Sequence, residues 1–329
     1  ARAAHTHRRD KIGGMTPTPV APATLPPSIT VLERGWLSAN NILLRGDPGD
    51  GSTALIDTGY CTHAAQTVAL VDGALAGQPL DLLLNTHLHS DHCGGNAALQ
   101  QRYPGVRTLI PPGQAAYVQQ WDANALSYTP TGQQCPPFRF DSLLQPGSEI
   151  LLGSTPWQVH AAPGHDPHSV VLFEPMQRIL VSADALWQNG FGVVFPELEG
   201  IHAFDEVGAT LELIAALQPR TVIPGHGAVF TDVDAALDRA RRRLDSFVRD
   251  PLKHAHYAAK VLLKYKLLEL QRVPLAALTD WAVHTPYFTT LHTTHFAAAG
   301  GIGTWADTLV DDLVRSGAAE RDGLDVVNI

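Results

Sequence analysis

Four side chains between His87 and His92 are of the types that bind transition-metal ions. They are His87, His89, Asp91 and His92, in the pattern His-x-His-x-Asp-His. Imidazole nitrogens and carboxylate oxygens are common zinc ligands, and a catalytic zinc ion usually takes three of them and leaves one place to water. Four donors in six residues are more than one such ion needs. The spacing therefore predicts two neighbouring ions.

Two neighbouring cations predict a hydrolytic reaction. Their field lowers the pKa of a bridging water from about 16 toward about 7, so that hydroxide is present at neutral pH. This hydroxide attacks an electrophilic carbonyl carbon or phosphorus, while one ion polarises the oxygen that gains charge and the other steadies the leaving group. Such a reaction needs no serine or cysteine nucleophile.

The elements around this loop are predicted to hold it at one end of a strand. The leucine-rich stretch Leu80–Leu84 predicts a buried strand, and its carboxyl end leads into the loop. Because side chains alternate along an extended backbone, His87 and His89 are expected to point the same way. Gly94 and Gly95 allow the chain to turn tightly and begin the next helix.

Five motifs, in order along the chain, resemble those of the metallo-β-lactamase superfamily, on its glyoxalase II, lactonase and β-lactamase-like endoribonuclease side. The resemblance extends from about Ile29 to Val248. The motifs are Asp57-Thr58-Gly59, the His87–His92 loop, Pro163-Gly164-His165, Ser182-Ala183-Asp184 and Pro224-Gly225-His226-Gly227.

The resemblance implies seven ligands for two divalent metal ions. The first ion would be held by His87, His89 and His165, the second by Asp91, His92 and His226, and both by Asp184. The three later ligands each follow a predicted strand closely, where loops gather at one rim. Zinc suits this donor set, and iron or manganese is accepted by the same ligands.

Two aspartates are predicted to act in catalysis. By its family position, Asp91 is a proton shuttle as well as a ligand, and Asp57 is a carboxylate that orients a ligand or the loop. The alternative for Asp57 is that it only caps the turn that follows it. The resemblance also implies a dinuclear hydrolytic site, because position 184 is Asp, where some antibiotic-degrading members of the superfamily have Cys. Redox chemistry is not expected, because position 89 is His, where the di-iron oxygen-reducing branch usually has an acidic residue.

The order of predicted elements indicates an α/β fold, a four-layer αββα sandwich of two packed sheets with helices outside. We expect residues 29–250 to form the metallo-β-lactamase-fold catalytic domain. Residues 251–329 are expected to form a small, mostly helical domain of three helices and a hairpin, which resembles a winged helix. The irregular stretch Asn124–Asp141 is expected to border the active site.

Residues 1–28 are predicted to be a disordered tail, polar and basic at first and proline-rich from Thr16. Met15 is expected to be the natural start, which makes the residues before it an artefact. The tail has no apolar segment of the kind found in a secretory signal.

Composition narrows the class of protein further. The formal net charge of −9 argues against general nucleic-acid binding, which favours a basic surface. No run of about 18 apolar residues is present, so no membrane span is expected. The three cysteines, Cys61, Cys93 and Cys135, cannot all pair, which indicates reduced thiols in a cytoplasmic protein.

Three functions fit these features to different degrees. The first is hydrolysis of a small-molecule carbonyl ester, thioester or lactone by the metal-bridging hydroxide. The second is a phosphodiesterase or endoribonuclease acting on RNA or nucleotides, in line with the winged-helix-like region and a basic zone. This basic zone comprises Arg239, Arg241, Arg242, Arg243, Arg249, Lys253, Lys260, Lys264 and Lys266.

The third is a non-enzymatic winged-helix DNA-binding protein, which would leave seven metal ligands without a role. A homo-oligomer is compatible with all three functions.

Overall fold

The structure is a computed structural model that describes residues 25–47 and 51–329. Of the predicted tail, residues 1–28, the part before residue 25 lies outside the described residues. The described residues form three sheets, two of which pack against each other.

The first sheet contains six strands in chain order. They are β1 (Ile29–Leu32), β2 (Asn41–Leu44), β3 (Ala54–Ile56), β4 (Leu82–Leu84), β5 (Arg107–Ile110) and β6 (Ser142–Leu143). Strands β1 to β3 are antiparallel neighbours, whereas β3 to β6 pair in parallel. Helix α1 (Ala64–Leu75) supplies the crossover that parallel pairing of β3 with β4 requires.

The second sheet contains five strands in the order β11-β10-β9-β8-β7. They are β7 (Glu149–Leu152), β8 (Thr155–Ala161), β9 (Val170–Glu174), β10 (Ile179–Ala183) and β11 (Thr221–Pro224). Strands β7 to β10 are antiparallel, and β10 pairs with β11 in parallel. Every residue of β9 and β10 is buried, because both faces of this sheet are covered.

The core lies in layers that follow the two-residue period of the strands. On β2, Ile42 and Leu44 face the second sheet and pack in one cluster with Trp157 and Val181. Leu43, between them, faces the other way and packs with Val71 of α1.

Four helices cover the outer faces of the two sheets. The first sheet is covered by α1 and α3 (Asn96–Arg102), and the second by α7 (Phe204–Leu217) and α8 (Val233–Arg249). The predicted four-layer αββα sandwich is therefore confirmed. Short helices lie in the connections: α2 (Ser90–Cys93), α4 (Ala115–Gln120), α5 (Tyr128–Thr131), α6 (Phe195–Leu198), and single 3-10 turns at Cys61–His63 and Pro112–Gln114.

The C-terminal region packs around a hydrophobic core to which Val193 and Leu198 of the sandwich also contribute. It consists of α9 (Pro251–Leu270), β12 (Arg272–Pro274), α10 (Leu275–His284), α11 (Pro286–Leu291), a π-helical turn at His292–Phe296, a 3-10 turn at Ala297–Ala299, α12 (Ile302–Arg315), β13 (Ala319–Asp322) and β14 (Asp325–Asn328). The last two strands form the predicted hairpin, and β12 pairs with β14. The predicted helical addition is confirmed. The sequence did not predict β12 and α11, because both are too short for a hydrophobic period to show.

The predicted boundary at residues 250 and 251 stays a prediction. Only Asp250 separates α8 from α9, and its carboxylate accepts a hydrogen bond from the Lys253 amide at 3.2 Å. This contact satisfies a free amide at the start of α9. Across the described residues, no helix is both long and apolar enough to cross a membrane.

Candidate metal centre

Five chain segments bring polar side chains to one edge of the paired sheets. Strands β3 and β4 are parallel, so Asp57 and the His87–His92 loop follow them at the same edge. Strands β8 and β10 are both antiparallel to β9, and β11 is parallel to β10. The loops after these three strands therefore also meet at one edge, and they carry His165, Asp184 and His226.

One asparagine ties the two sheets together at this edge. Asn40, just before β2, donates from its amide nitrogen to the Gly225 carbonyl at 2.7 Å, and from its side chain to the Pro224 carbonyl at 3.0 Å. Both carbonyls belong to the segment that leads into His226. The contact fixes the loop after β11 relative to the first sheet.

The first ligand group consists of three histidines whose ring nitrogens converge. His89 Nδ1 lies 3.1 Å from His87 Nε2 and 2.9 Å from His165 Nε2. His165 directs its other nitrogen, Nδ1, to the Val193 carbonyl at 2.5 Å. If Nδ1 carries the proton, the lone pair of Nε2 faces the other two rings.

The second ligand group combines two carboxylates with two histidines. Its members are Asp91, His92, Asp184 and His226, and one donor atom of each lies within 4.8 Å of the others. Asp91 Oδ2 is 3.1 Å from His226 Nε2 and 3.9 Å from His92 Nε2. All of these side chains except that of Asp91 are buried.

Asp184 lies between the two groups. Its Oδ1 is 3.5 Å from His92 Nε2 and 3.9 Å from His226 Nε2, whereas its Oδ2 is 3.4 Å from His165 Nε2. One carboxylate thus presents one oxygen to each group. Trp187 Nε1 donates a hydrogen bond to Oδ1 at 3.1 Å.

Asp57 lies behind the ligand loop and does not line the pocket. Its carboxylate accepts hydrogen bonds from the Thr86 amide at 2.9 Å and the Thr86 hydroxyl at 2.8 Å, and Oδ2 is 2.8 Å from His92 Nδ1. These contacts orient the ligand loop and the His92 ring. Among the described residues, the Asp57 side chain makes no hydrogen bond to the turn that follows it, and its role in catalysis stays a prediction.

Two residues next to the site have unusual backbone conformations. Asp57 and Ala183 have φ values of 57° and 45°, a region that non-glycine residues seldom adopt. At position 225, a Cβ atom would lie 2.2 Å from Asp184 Oδ1, so only glycine lets this loop approach the carboxylate. Such concentrated strain is typical of functional sites.

Two histidines of the first ligand group, His87 and His165, are held in the neutral form by their surroundings. Burial, together with neighbouring histidines, lowers the pKa of His87 well below its ordinary value and that of His165 to about 4. A neutral imidazole has the free lone pair that a metal ion requires.

The second group is dominated by its carboxylates. Burial opposes a charge on His92, but Asp57, Asp184 and Asp91 outweigh this and raise its pKa well above the ordinary value. Burial likewise opposes ionisation of Asp184, yet His92 and His226 hold the pKa of this carboxyl well below its usual range. The group therefore favours a positive charge at its centre, which a proton or a cation can supply.

The residues fit a pair of divalent ions. His92 Nε2 is fully buried and has no hydrogen-bond partner among the described residues, although buried polar atoms nearly always have one. A metal ion between His92, Asp91 and His226 would satisfy it. Histidine nitrogens and carboxylate oxygens are the donors that zinc takes in hydrolytic sites.

The pocket above these ligands has a polar side and an apolar side. On the polar side are Ser127, Thr131 and Gln133, which come from the irregular stretch that sequence analysis expected to border the site. The apolar side includes Val193 and Phe195, together with two tryptophans from loops and three residues of α9. The tryptophans and the α9 residues are Trp36, Trp187, Val261, Leu262 and Tyr265.

This apolar side was not predictable from the sequence. Trp36 and Trp187 are single aromatic residues in loops, and no spacing distinguishes them. Trp36 stacks on His226 with ring centroids 5.4 Å apart and an interplanar angle of 10°. The only signal for the α9 residues was the helical period of that segment. His202, which follows Asp184 in the chain, is exposed and does not line the pocket.

Comparisons with known proteins agree with the fold. A family model described as the metallo-beta-lactamase superfamily matches residues 34–226. A hydroxyacylglutathione hydrolase of Brucella anthropi is 27% identical over 206 residues, which are 62% of this chain and 65% of that protein. The chain spans about half to two thirds of the length of the first curated relatives that it matches.

Two solved structures share the architecture. A beta-lactamase domain protein from Burkholderia ambifaria matches with a TM-score of 0.55 and 20% identity, over 94% of this chain and 97% of that chain. A class B3 di-zinc metallo-beta-lactamase from an Alaskan soil metagenome matches with a TM-score of 0.51 and 20% identity, over 67% of this chain and 90% of its own. At these identities the likeness concerns the fold alone.

An αββα sandwich with a histidine and aspartate cluster at one edge defines a class of metal-dependent hydrolases. Because the family model covers more than half of the chain, the chain belongs to the metallo-beta-lactamase superfamily. The family predicted from the five sequence motifs is confirmed, and the predicted enzyme class, a metal-dependent hydrolase, agrees with it.

Proposed function

We propose that the protein is a dinuclear metal-dependent hydrolase that acts on a carbonyl ester, thioester or lactone. The observation that carries this proposal is the position of Asp184, whose Oδ1 is 3.5 Å from His92 Nε2 and whose Oδ2 is 3.4 Å from His165 Nε2. A carboxylate that faces two ligand groups with separate oxygens is suited to bridge two ions. The acyl substrate in the name of the Brucella anthropi relative supports carbonyl chemistry.

Seven residues would hold the ions: His87, His89 and His165 the first, Asp91, His92 and His226 the second, and Asp184 both. When bound, the ions supply hydroxide at neutral pH and polarise the carbonyl of the substrate. Zinc is the metal we propose, because its ligands are of this kind; iron and manganese accept the same donors.

The protein's own contribution begins with the orientation of these ligands. The Val193 carbonyl accepts from His165 Nδ1, and Asp57 accepts from His92 Nδ1, so that both rings direct Nε2 inward. Hydrogen bonds of this type fix the tautomer and raise the basicity of a metal-binding imidazole.

Two further groups are placed to handle protons. Asp91 lines the pocket and, like His89, has a side chain that is 14% exposed, whereas the other five proposed ligands are buried, so it can carry a proton between the substrate and solvent. Tyr265 also lines the pocket, and burial raises the pKa of its phenol well above the ordinary value. Its hydroxyl therefore remains a hydrogen-bond donor, 3.4 Å from Ser90 Oγ and from the Leu37 carbonyl.

The test is a metal analysis followed by a substrate panel. Protein loaded with zinc is assayed on an acyl thioester, a 4-nitrophenyl ester, a γ-lactone and a single-stranded RNA. We expect about two metal ions per chain and turnover of at least one carbonyl substrate. His87→Ala should lower the metal content and abolish the turnover. The matched control is His202→Ala, which removes an exposed histidine outside the pocket.

Retention of full activity by Asp184→Ala on the same substrate would contradict the proposal. A metal content of one ion per chain in the active wild-type protein would contradict its dinuclear part.

Cleavage of RNA, the alternative predicted from the sequence, stays a prediction. The three-stranded β12-β14-β13 sheet beside helices α9 to α12 resembles a winged helix, but members of the basic zone already have partners. Arg241 pairs with Glu212 at 2.8 Å, and Lys266 pairs with Glu269 at 2.8 Å. RNA cleavage that weakens when Arg241, Arg242 and Arg243 are changed to Glu would favour this alternative.

We also propose a cytoplasmic location. All three cysteines are unpaired in the structure, as expected of thiols in a reducing compartment.

A further inference from the structure

A second cavity opens beside the metal pocket. It is an apolar groove between α9 and the two loop tryptophans, with a volume of about 340 Å³. Leu268 and Leu313 contribute aliphatic walls, and Tyr257 and Lys260 lie along the same side of α9. The basic zone predicted from the sequence thus contributes two lysines, Lys260 and Lys264, to an apolar cavity.

The groove adjoins the metal pocket. Four residues line both cavities, namely Trp36, Trp187, Val261 and Tyr265. The metal pocket itself offers only about 90 Å³, room for a reacting carbonyl and a few atoms around it. Binding sites for small organic molecules usually measure about 300 to 1,000 Å³, so the groove supplies the space that the metal pocket lacks.

Trp36 forms the wall between the two cavities. It stacks on His226, makes an edge contact with Trp187 at 5.3 Å, and yet remains 55% exposed. A large apolar side chain that is held in place and still exposed at a cleft commonly marks a ligand-binding surface.

The two lysines of the groove differ in their partners. Lys264 Nζ donates to the Ala318 carbonyl and to Asn328 Oδ1, each at 2.5 Å, and to the Ile329 carbonyl at 3.0 Å. Lys260 is half-buried and makes no ion pair or side-chain hydrogen bond with any described residue. Its ammonium group is therefore available to a ligand.

A second cation strengthens the positive field on this side of the groove. The Arg243 guanidinium lies over the Tyr257 ring, 4.3 Å from its centroid, and also over Phe191 and Phe247. In a chain of net charge −9, an apolar groove flanked by cations is complementary to an apolar molecule with a negative charge.

We infer that this groove binds the larger part of the substrate, an apolar aryl or alkyl group, and that Lys260 pairs with an anionic substituent on it. This inference rests on the proposed function and specifies its substrate class as anionic, amphipathic esters or thioesters. The reacting carbonyl lies in the metal pocket, the apolar group passes Trp36, and the carboxylate, sulfonate or phosphate of the substrate reaches Lys260.

The test uses a matched pair of probes, 2-naphthalenesulfonate and the uncharged N,N-dimethylnaphthalene-2-sulfonamide, which has no N–H to lose to a metal ion, with binding to the metal-loaded protein measured by calorimetry. We expect the sulfonate to bind about fivefold to tenfold more tightly than the sulfonamide. Lys260→Gln should abolish this difference and leave the affinity for the sulfonamide unchanged. Lys253→Gln, which removes an exposed lysine from the same helix outside the groove, should change neither affinity.

A second variant tests the location. Leu268→Glu places a negative charge in the groove and should weaken the sulfonate at least tenfold and the sulfonamide severalfold. The sulfonate should also inhibit competitively the turnover of whichever ester or thioester the enzyme hydrolyses.

Equal binding of the two probes, or a preference that survives in Lys260→Gln, overturns the pairing with Lys260. Unchanged sulfonate binding in Leu268→Glu, or inhibition that is not competitive, overturns the groove as a substrate site. Because binding is measured without turnover, a protein that hydrolyses no carbonyl substrate would contradict the proposed function separately.

Discussion

The metal-binding loops and helix α9 build opposite sides of one pocket by different means. The loops contribute short polar motifs held by hydrogen bonds, close glycine contacts and rare backbone angles at Asp57 and Ala183. Helix α9 contributes an apolar face, including Val261 and Tyr265, and no motif. The loops belong to the sandwich and the helix to the C-terminal core.

We expect the metal-binding loops to determine the reaction and the surface beside α9 to determine which substrate binds. A reacting centre requires particular atoms at fixed distances, so its residues tolerate little change. A surface that selects the substrate needs only shape, apolarity and a placed charge. Changes in α9 should therefore leave metal binding largely intact, and changes in the metal-binding loops should leave probe binding in the groove largely intact. Three experiments test how independent the two regions are.

The largest effect is expected for Leu263→Ala in α9. Leu263 is fully buried in the C-terminal core, and truncation of such a leucine costs about 2 to 5 kcal/mol of unfolding free energy. Urea unfolding measures this loss. At temperatures where the variant is folded, its metal content should be that of the wild type.

The matched control for that experiment is Leu270→Ala, at the exposed end of the same helix, which should cost no more than about 0.5 kcal/mol. Loss of the metal from folded Leu263→Ala protein would show that the two regions are not separable.

An intermediate effect is expected for Asp57→Asn in the metal region. The substitution keeps the volume but removes the charge that pairs with His92 Nδ1 and one acceptor for Thr86. Metal affinity, measured by competition with a chelator, should fall about tenfold to a hundredfold. Probe binding in the groove should change far less.

Asp81→Asn serves as the control, because Asp81 accepts from the Thr53 amide in the same sheet, away from the ligands. Wild-type metal affinity in Asp57→Asn would show that Asp57 does not contribute to metal binding and has only a structural role.

The smallest effect is expected at the junction of the two regions. Val194, next to the pocket residue Val193, donates its amide hydrogen to His254 Nε2 of α9 at 3.1 Å. Burial, with Arg243 nearby, lowers the pKa of His254 to about 4. Below pH 6.5 the unfolded chain binds a proton at this residue that the folded chain does not bind until pH approaches 4.

Stability from His254 is therefore present above pH 6.5 and is lost as pH falls from 6.5 to 4, by about 1 to 2 kcal/mol at pH 5. His254→Gln keeps an acceptor but does not titrate. The unfolding free energies of both proteins, compared at pH 7 and pH 5, should show a smaller acid loss in the variant. An identical acid loss would mean that His254 does not titrate across this junction.

The chemistry of the site was predictable because it is written in local spacing. The sequence itself shows the four donors in the His87–His92 loop. It also shows the predicted strands that precede His165, Asp184 and His226. The four-layer fold followed from the order of elements. The bridging role of Asp184 stays a proposal, to which its two oxygen distances now give a geometric basis.

The substrate side was not predictable, because it arises from packing between distant segments. Trp36 lies near the start of the sandwich and Tyr265 in the C-terminal region, and they line the same pocket only after the two cores have formed. The helical period of α9 predicted the helix, but two of its faces are apolar. The sequence could not show which face meets the metal pocket.

The stacking of Trp36 on His226 has a practical consequence. Among six tryptophans, Trp36 lies against a proposed ligand ring, and Trp187 donates to a proposed bridging carboxylate. Their indole emission should therefore respond to any ion that enters the centre. The protein carries an optical reporter of its own metal occupancy, readable without a label or a substrate.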